Sequence, residues 1–183
     1  MKKLLFATGN KGKIIEAEHI LGIPLETVNI EIDEVQSMDL EYVAKRKAEA
    51  AFKILRKPVI IDDVGVFIEA WNGFPGPFAK FILDKLGNRR VLEILKSEKN
   101  RNVTVKSAVG YRDGKNTHVF LGEVQATLAH EERGTEGWGF DPIIIPLGQK
   151  LTYAEMGLLG KSKLSHRKKA LEKFRKFLDS QKK

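Results

Sequence analysis

The chain has 183 residues, 42% of them hydrophobic and 31% charged, which is apolar enough to bury a core and too apolar for a disordered segment. It has no cysteine, so disulfides, thiolate metal sites and a cysteine nucleophile are excluded. Lys and Arg outnumber Asp and Glu by 32 to 24, but residues 161–183 alone hold ten basic side chains against Glu172 and Asp179, so the excess is one terminal feature. That feature is either a solvated helix face or a polyanion site. No apolar run approaches the roughly 18 residues of a membrane span. The opening MKKLLFATGN turns polar too soon for a signal-peptide core, so one cytoplasmic domain over 1–183 is expected.

In chain order, Lys3 to Ala7 reads as a strand ending in Thr8-Gly9-Asn10, and Ile14, Ala17, Ile20 and Leu21 give helical spacing from Lys13. Asp39 caps a second helix, with Leu40, Val43, Ala44, Lys47, Ala48, Ala51 and Leu55 in register to Arg56, before Pro58 stops it. Val59-Ile60-Ile61 reads as a buried strand that delivers Asp62 and Asp63 at its end, with a second strand over Val66 to Trp71. Residues 72–77 form a turn-rich loop; Pro77 opens a helix to Leu86, and Asn88 caps another to about Lys96. Val103 to Tyr111 and Thr117 to Ala129 form an antiparallel pair across Arg112-Asp113-Gly114-Lys115. Pro142 to Pro146 brackets a further strand, Thr152 and Glu155 have capping-box form, and Ser165 caps a last helix striped by Ala170, Leu171, Phe174, Phe177 and Leu178. The class is α/β, a mixed sheet flanked by helices.

Four places could carry chemistry. Thr8-Gly9-Asn10-Lys11-Gly12-Lys13 lies where a strand feeds a helix, and is either a phosphate cradle or an ordinary turn with exposed lysines; it lacks the Walker A order. Asp62-Asp63 leaves an apolar run, where strand alternation sends one carboxylate to chemistry and the other to nearby polar groups. Hard oxygen ligands of this kind suit Mg²⁺, with a second ligand available from Glu31, Asp33 or Glu34. Gly137-Trp138-Gly139-Phe140-Asp141-Pro142 is either a pocket for a planar base or a packed turn. Lys161 and Ser165-His166-Arg167 put cationic donors at the start of the last helix. No serine sits in a nucleophile elbow.

Together these segments resemble the inosine triphosphate pyrophosphatase family, also called Ham1-like. The matching runs stand in order: TGNKGK at 8–13, DDVGV at 62–66, GFPGPF at 73–78, GWGFDP at 137–142, TYAEM at 152–156 and SHR at 165–167. The resemblance implies an elongated, two-lobed fold with a central cleft, a homodimer, and Mg²⁺-dependent hydrolysis of ITP, dITP or XTP to monophosphate and pyrophosphate. It implies that Glu34 and Asp63 hold the metal and that Asp63 is the general base. By the same resemblance Thr8, Gly9, Asn10, Lys11, Gly12 and Lys13 hold phosphate, Lys80 and either Arg46 or Lys47 face the substrate, and Trp138, Gly139, Phe140, Asp141, Lys161, His166 and Arg167 line the base pocket.

Two departures stand out. Val64 replaces a Ser or Thr common in the family, leaving its substrate contact to the backbone, and Ser162 replaces an Asn after Lys161. The resemblance leaves Lys168 to Lys183 as solvated helix, so no nucleic-acid partner and no membrane are expected. The rival readings are a Maf-like pyrophosphatase for other modified nucleotides and a nucleic-acid binder using the basic tail.

Overall fold

The computed structural model describes residues 4–181; Lys3 of the predicted first strand and Lys182 and Lys183 of the basic tail lie outside the described residues. Among the described residues seven strands form one mixed sheet flanked by helices. The elements are β1 Leu5–Ala7, α1 Lys11–Leu21, β2 Glu26–Val28, α2 Leu40–Leu55, β3 Val59–Ile68, β4 Pro75–Gly76, α3 Ala79–Ile94, β5 Asn102–Arg112, β6 Thr117–Leu128, β7 Ile144–Pro146, α4 Tyr153–Ser162 and α5 His166–Ser180. Their hydrogen-bonded order is β2-β1-β3-β5-β6-β7, with β4 added to β3. β1 is parallel to both neighbours, Leu5 facing Glu26 and Val59, whereas β4 and β7 pair antiparallel with β3 and β6. Four residues join β5 to β6, and Asp113 closes the turn by accepting the Lys115 and Asn116 amides at 2.7 Å each.

The chain divides into two units. The first comprises the chain up to Asp63, Ser107–Gly122 and everything from Arg167. Its core joins Phe6, Ala17, Leu21, Leu25, Ile60 and Val109 to Ala170, Leu171 and Phe174, the predicted stripe of α5. Each such Leu or Phe contributes about 1.5–3 kcal/mol on burial. Asn10 caps α1 by accepting the Lys13 amide at 3.1 Å, so the helix starts two residues before the predicted Lys13, and Lys11-Gly12-Lys13 is its first turn. Asp39 caps α2 as predicted, accepting the amides of Glu41 and Tyr42 at 2.9 and 3.1 Å. Fully buried Ala44, Ala48 and Ala51 let α2 approach β5 closely: a methyl group on Gly110 would sit 2.8 Å from the Ala44 carbonyl oxygen.

The second unit comprises Val64–Lys106 and Glu123–His166, cored by Val66, Ile68, Leu92, Leu95, Val103, Val105, Leu128, Ile143 and Tyr153. Its α3 breaks at Gly87 (φ 71°, ψ 166°), where the sequence predicts one helix to end and another to start. Asn88 does not cap the second part as expected; its amide donates instead to the Gly139 carbonyl at 2.9 Å. Buried Arg101 donates to the carbonyls of Leu95, Leu128 and Ala129, at the ends of α3 and β6. The capping box at Thr152 forms as predicted, with Glu155 accepting the Thr152 amide at 2.7 Å.

Two further differences concern strands. β3 is one ten-residue strand, so Asp62 and Asp63 sit within it and not at its end. Aspartate disfavours strands when unpaired, but cations from elsewhere in the sequence hold both of these. β2 was not expected: Glu26 and Thr27 are both exposed, and three residues show no alternation. Among the described residues no helix is long and apolar enough to cross a membrane.

Candidate functional site

β3 presents its two aspartates to opposite sides, and the first unit treats them differently. Asp62 is buried and saturated. Its Oδ1 accepts the Ser107 hydroxyl at 2.5 Å, and its Oδ2 accepts Nε and Nη2 of Arg167 at 3.0 and 2.9 Å. Lys13 lies 3.3 Å from the same oxygen and also donates to the Asp62 backbone carbonyl. Burial alone would raise the Asp62 pKa, but Arg167, Lys13 and the Ser107 hydroxyl outweigh it and hold the carboxyl well below the usual carboxylate range.

Arg167 completes this network. Its Nη1 donates to Glu16, a fully buried carboxylate on α1, and the two carboxylates raise its pKa despite desolvation. Arg167 was expected to meet substrate; the structure encloses its guanidinium because Glu16 and Asp62, both out of water, require a cation. Glu16 and Ser107 were not expected in the site at all. A signal for Glu16 existed, since it lies one helical turn before Ile20, on the side of α1 that turns inward.

Asp63 faces a second group. Lys47 on α2 donates to Asp63 Oδ1 at 2.9 Å and also to Glu34, from the irregular segment before α2. Desolvation lowers the Lys47 pKa, but Asp63 and Glu34 more than compensate, and the ammonium stays charged. Of the two residues expected near the substrate, Lys47 meets these carboxylates, while Arg46 points outward and pairs with Glu49 at 3.1 Å. The other oxygen of Asp63, Oδ2, is buried without a hydrogen-bond partner. A buried carboxylate oxygen left open costs about 1–3 kcal/mol and marks a place where a proton, water or cation belongs. Glu34 and Asp63 are the residues that could hold a hard divalent cation. No group of three or more acidic or histidine side chains gathers among the described residues.

Between β1 and α1, Thr8, Gly9 and Asn10 form a short turn. Thr8 Oγ1 accepts the Asn10 amide at 3.1 Å, and any side chain at Gly9 would strike the Asn29 carboxamide at 2.8 Å. Lys11 and Gly12 follow in the first turn of α1, Lys11 exposed, so the turn and the helix N-terminus offer amides and one exposed ammonium to an anion.

In the second unit the 137–142 segment wraps around one carboxylate. Asp141 Oδ2 accepts the Trp138 amide at 2.9 Å and the Lys161 ammonium at 2.7 Å. That ammonium also lies 3.8 Å from the centroid of the Trp138 ring and 5.6 Å from that of Tyr153. Gly137 and Gly139, both left-handed at φ 81° and 70°, flank Trp138; a side chain at Gly137 would collide with Asp141 Oδ2 at 2.4 Å. His166 is buried with its ring 6.3 Å from that of Tyr153, and Phe140 is packed in the core. The arrangement is a flat aromatic surface with a desolvated cation held over it.

The remaining expected positions stand apart. Lys80 is 85% exposed on α3 and pairs with Asp84 one turn on. Val64 packs against the second unit's core, so its side chain offers no polar contact. Within the basic tail Lys161 and Arg167 are internal, while exposed Lys173 reaches the Leu121 carbonyl and Lys168 pairs with Glu172.

Comparison with known proteins gives a consistent result. A sequence model of the Ham1 family matches residues 4–177. The dITP/XTP pyrophosphatase of Methanopyrus kandleri is 47% identical over 176 residues, covering 94% of both chains, and that of Methanosarcina acetivorans is 42% identical, covering 98% of this chain and 99% of its own. Among solved structures, the Staphylococcus aureus Ham1 protein superposes with a TM-score of 0.84 at 27% identity, over 98% of this chain and all of that one.

Proposed function

The chain belongs to the Ham1 family, and from that premise we propose that it hydrolyses the non-standard purine nucleoside triphosphates dITP, XTP and ITP to monophosphate and pyrophosphate. The observation that carries the chemistry is Asp63, with one oxygen tied to Lys47 and the other buried and open. Relatives bearing the name dITP/XTP pyrophosphatase at 47% and 42% identity support the substrate class.

Asp63 Oδ2 accepts the proton of a water whose oxygen forms the new bond to the α-phosphorus. The bond from that phosphorus to the bridging oxygen then breaks, and its electron pair leaves with pyrophosphate. Lys47 holds the Asp63 carboxylate in place through Oδ1 and keeps Oδ2 open for that proton. The Thr8 to Lys13 turn and the N-terminus of α1 hold phosphate oxygens, with Lys11 adding charge. Lys13, anchored on Asp62, and Arg167, anchored on Asp62 and Glu16, fix the strand that carries Asp63. A Mg²⁺ ion bound by Glu34 and Asp63 would neutralise triphosphate charge and lower the pKa of a bound water.

Base selection falls to the second unit. Hypoxanthine and xanthine present a 6-oxo acceptor that the Lys161 ammonium can meet above the Trp138 face, whereas adenine presents a 6-amino donor to that same cation. His166 and the Gly139 and Phe140 backbone complete the pocket. Homodimerisation and a cytoplasmic location belong to this reading as well, and light scattering tests the former.

Product analysis tests the proposal. Incubation with XTP, dITP, ITP, ATP, GTP and dTTP should release pyrophosphate and monophosphate from the first three, dependent on Mg²⁺ and abolished by EDTA. Equal turnover of ATP, or release of orthophosphate and diphosphate, would overturn it. Preferential turnover of modified pyrimidine nucleotides would favour the Maf-like alternative, and salt-sensitive DNA or RNA binding without turnover would favour a nucleic-acid binder.

A further inference from the structure

The base-recognition segment of the second unit is held from within and from outside: the Asp141 amide donates to the Trp138 carbonyl at 3.3 Å, and the Asp141 and Pro142 carbonyls accept the Ala154 and Arg133 amides at 3.1 and 3.0 Å. On one side of Trp138, Asp141 takes its amide at 2.9 Å. On the other, the carbonyl of the next residue, Gly139, receives the side-chain amide of Asn88 at 2.9 Å, across 51 residues of sequence. We propose that Asn88 is a positioning residue for base recognition: by holding the Gly139 carbonyl it fixes the orientation of the Trp138 ring beneath Lys161.

Three observations carry this. First, Asn88 is not engaged in holding α3 together. It follows the break at Gly87 directly, and its side chain makes no cap to the helix that resumes there. Second, its Oδ1 is buried with no hydrogen-bond partner, so Asn88 leaves one polar atom unsatisfied in order to place the other on Gly139. An apolar residue would avoid that penalty but would leave the Gly139 carbonyl without its donor. Third, the carbonyl it holds belongs to a left-handed glycine, whose backbone has no steric preference to keep it in place. Around Trp138 two such glycines give the segment conformational freedom, and the anchors on Trp138 N–H and Gly139 C=O are the side-chain hydrogen bonds that restrict it there. The 3.8 Å approach of Lys161 Nζ to the Trp138 ring depends on that ring staying where both anchors put it.

The inference rests on the base-recognition role assigned above to Trp138 and Lys161, and the test separates the two. Xanthosine monophosphate and pyrophosphate are titrated calorimetrically, with Mg²⁺, into the wild-type protein, Asn88→Ala and Asn88→Asp. The aspartate variant keeps the shape, loses the donor and points a carboxylate oxygen at the Gly139 carbonyl. Monophosphate affinity should fall about tenfold in both variants, roughly one hydrogen bond's worth, while pyrophosphate affinity stays at the wild-type value. In steady state the KM for XTP should rise by a similar factor with kcat nearly unchanged. Unaltered monophosphate affinity in either folded variant would overturn the proposal. So would an equal loss of affinity for both ligands, which would mean general damage. Failure of the wild-type protein to bind the monophosphate while binding pyrophosphate would overturn the base-recognition reading itself, and this proposal with it.

Discussion

The two functional groups are built on opposite plans. In the first unit most of these side chains stand on regular elements, Asp62 and Asp63 on β3, Glu16 and Lys13 on α1, Lys47 on α2 and Arg167 on α5, with Glu34 and the Thr8–Asn10 turn as the irregular members. Charge there is dense and compensated, and one oxygen of Asp63 is the exception. In the second unit Trp138 and Asp141 stand on an irregular segment with two left-handed glycines, and the buried Lys161–Asp141 pair is roofed by aromatic rings. Chemistry at phosphorus needs fixed charge at a fixed place, which strands and helices supply. Recognition of a base needs a flat face and one or two directed polar groups, which a short glycine segment supplies if something else pins it.

Variants should therefore separate rate, stability and selectivity. The largest effect is expected for Asp63→Asn, which removes the proposed proton acceptor: kcat should fall by about three orders of magnitude or more, with the protein still folding cooperatively and its midpoint moved only by the loss of the Lys47 pair. Stopped-flow or quenched assays with XTP, alongside thermal unfolding, check both halves. Arg167→Met should act on stability first, because it leaves Glu16 and Asp62 buried without their cation. A loss of about 3–5 kcal/mol is expected in urea unfolding.

Lys161→Met leaves Asp141 with the Trp138 amide but without its cation, and should lower kcat/KM for XTP on the order of 10- to 100-fold. The pH dependence of stability gives a subtler reading. Because folding lowers the Asp62 pKa, its contribution is complete above the unfolded-state value near about 4 and is lost as pH falls towards the folded value. Stability should decline below about pH 4, and Asp62→Asn should make that acid limb shallower while lowering stability at neutral pH. The smallest effect is expected for Lys80→Ala, whose exposed pair with Asp84 should leave the unfolding midpoint unchanged, so any rise in KM would report substrate contact alone.

What the sequence made legible was local. The α5 stripe, the Asp39 and Thr152 caps and the β5–β6 turn each follow from a few neighbouring residues, and all stand where expected. The opposite fates of Asp62 and Asp63 also followed from strand alternation. What escaped depended on partners distant in sequence. β3 continues through its aspartates because Lys13, Lys47 and Arg167 come to meet them from 49, 16 and 105 residues away. The inward placement of Lys47 was available in principle, since Lys47 follows buried Ala44 by three positions and precedes buried Ala51 by four. The burial of Arg167 between two carboxylates escaped as well, since Asp62 and Glu16 lie 105 and 151 residues earlier.

The division between the two groups is tested most directly by one number, the ratio of kcat/KM for XTP to that for ATP, measured for the wild type, Lys47→Met and Lys161→Met. The account predicts that Lys47→Met slows both substrates and leaves the ratio near the wild-type value, whereas Lys161→Met collapses it towards one. A ratio unchanged in Lys161→Met, or one that collapses in Lys47→Met, would contradict the assignment of chemistry to the first unit and of base selection to the second.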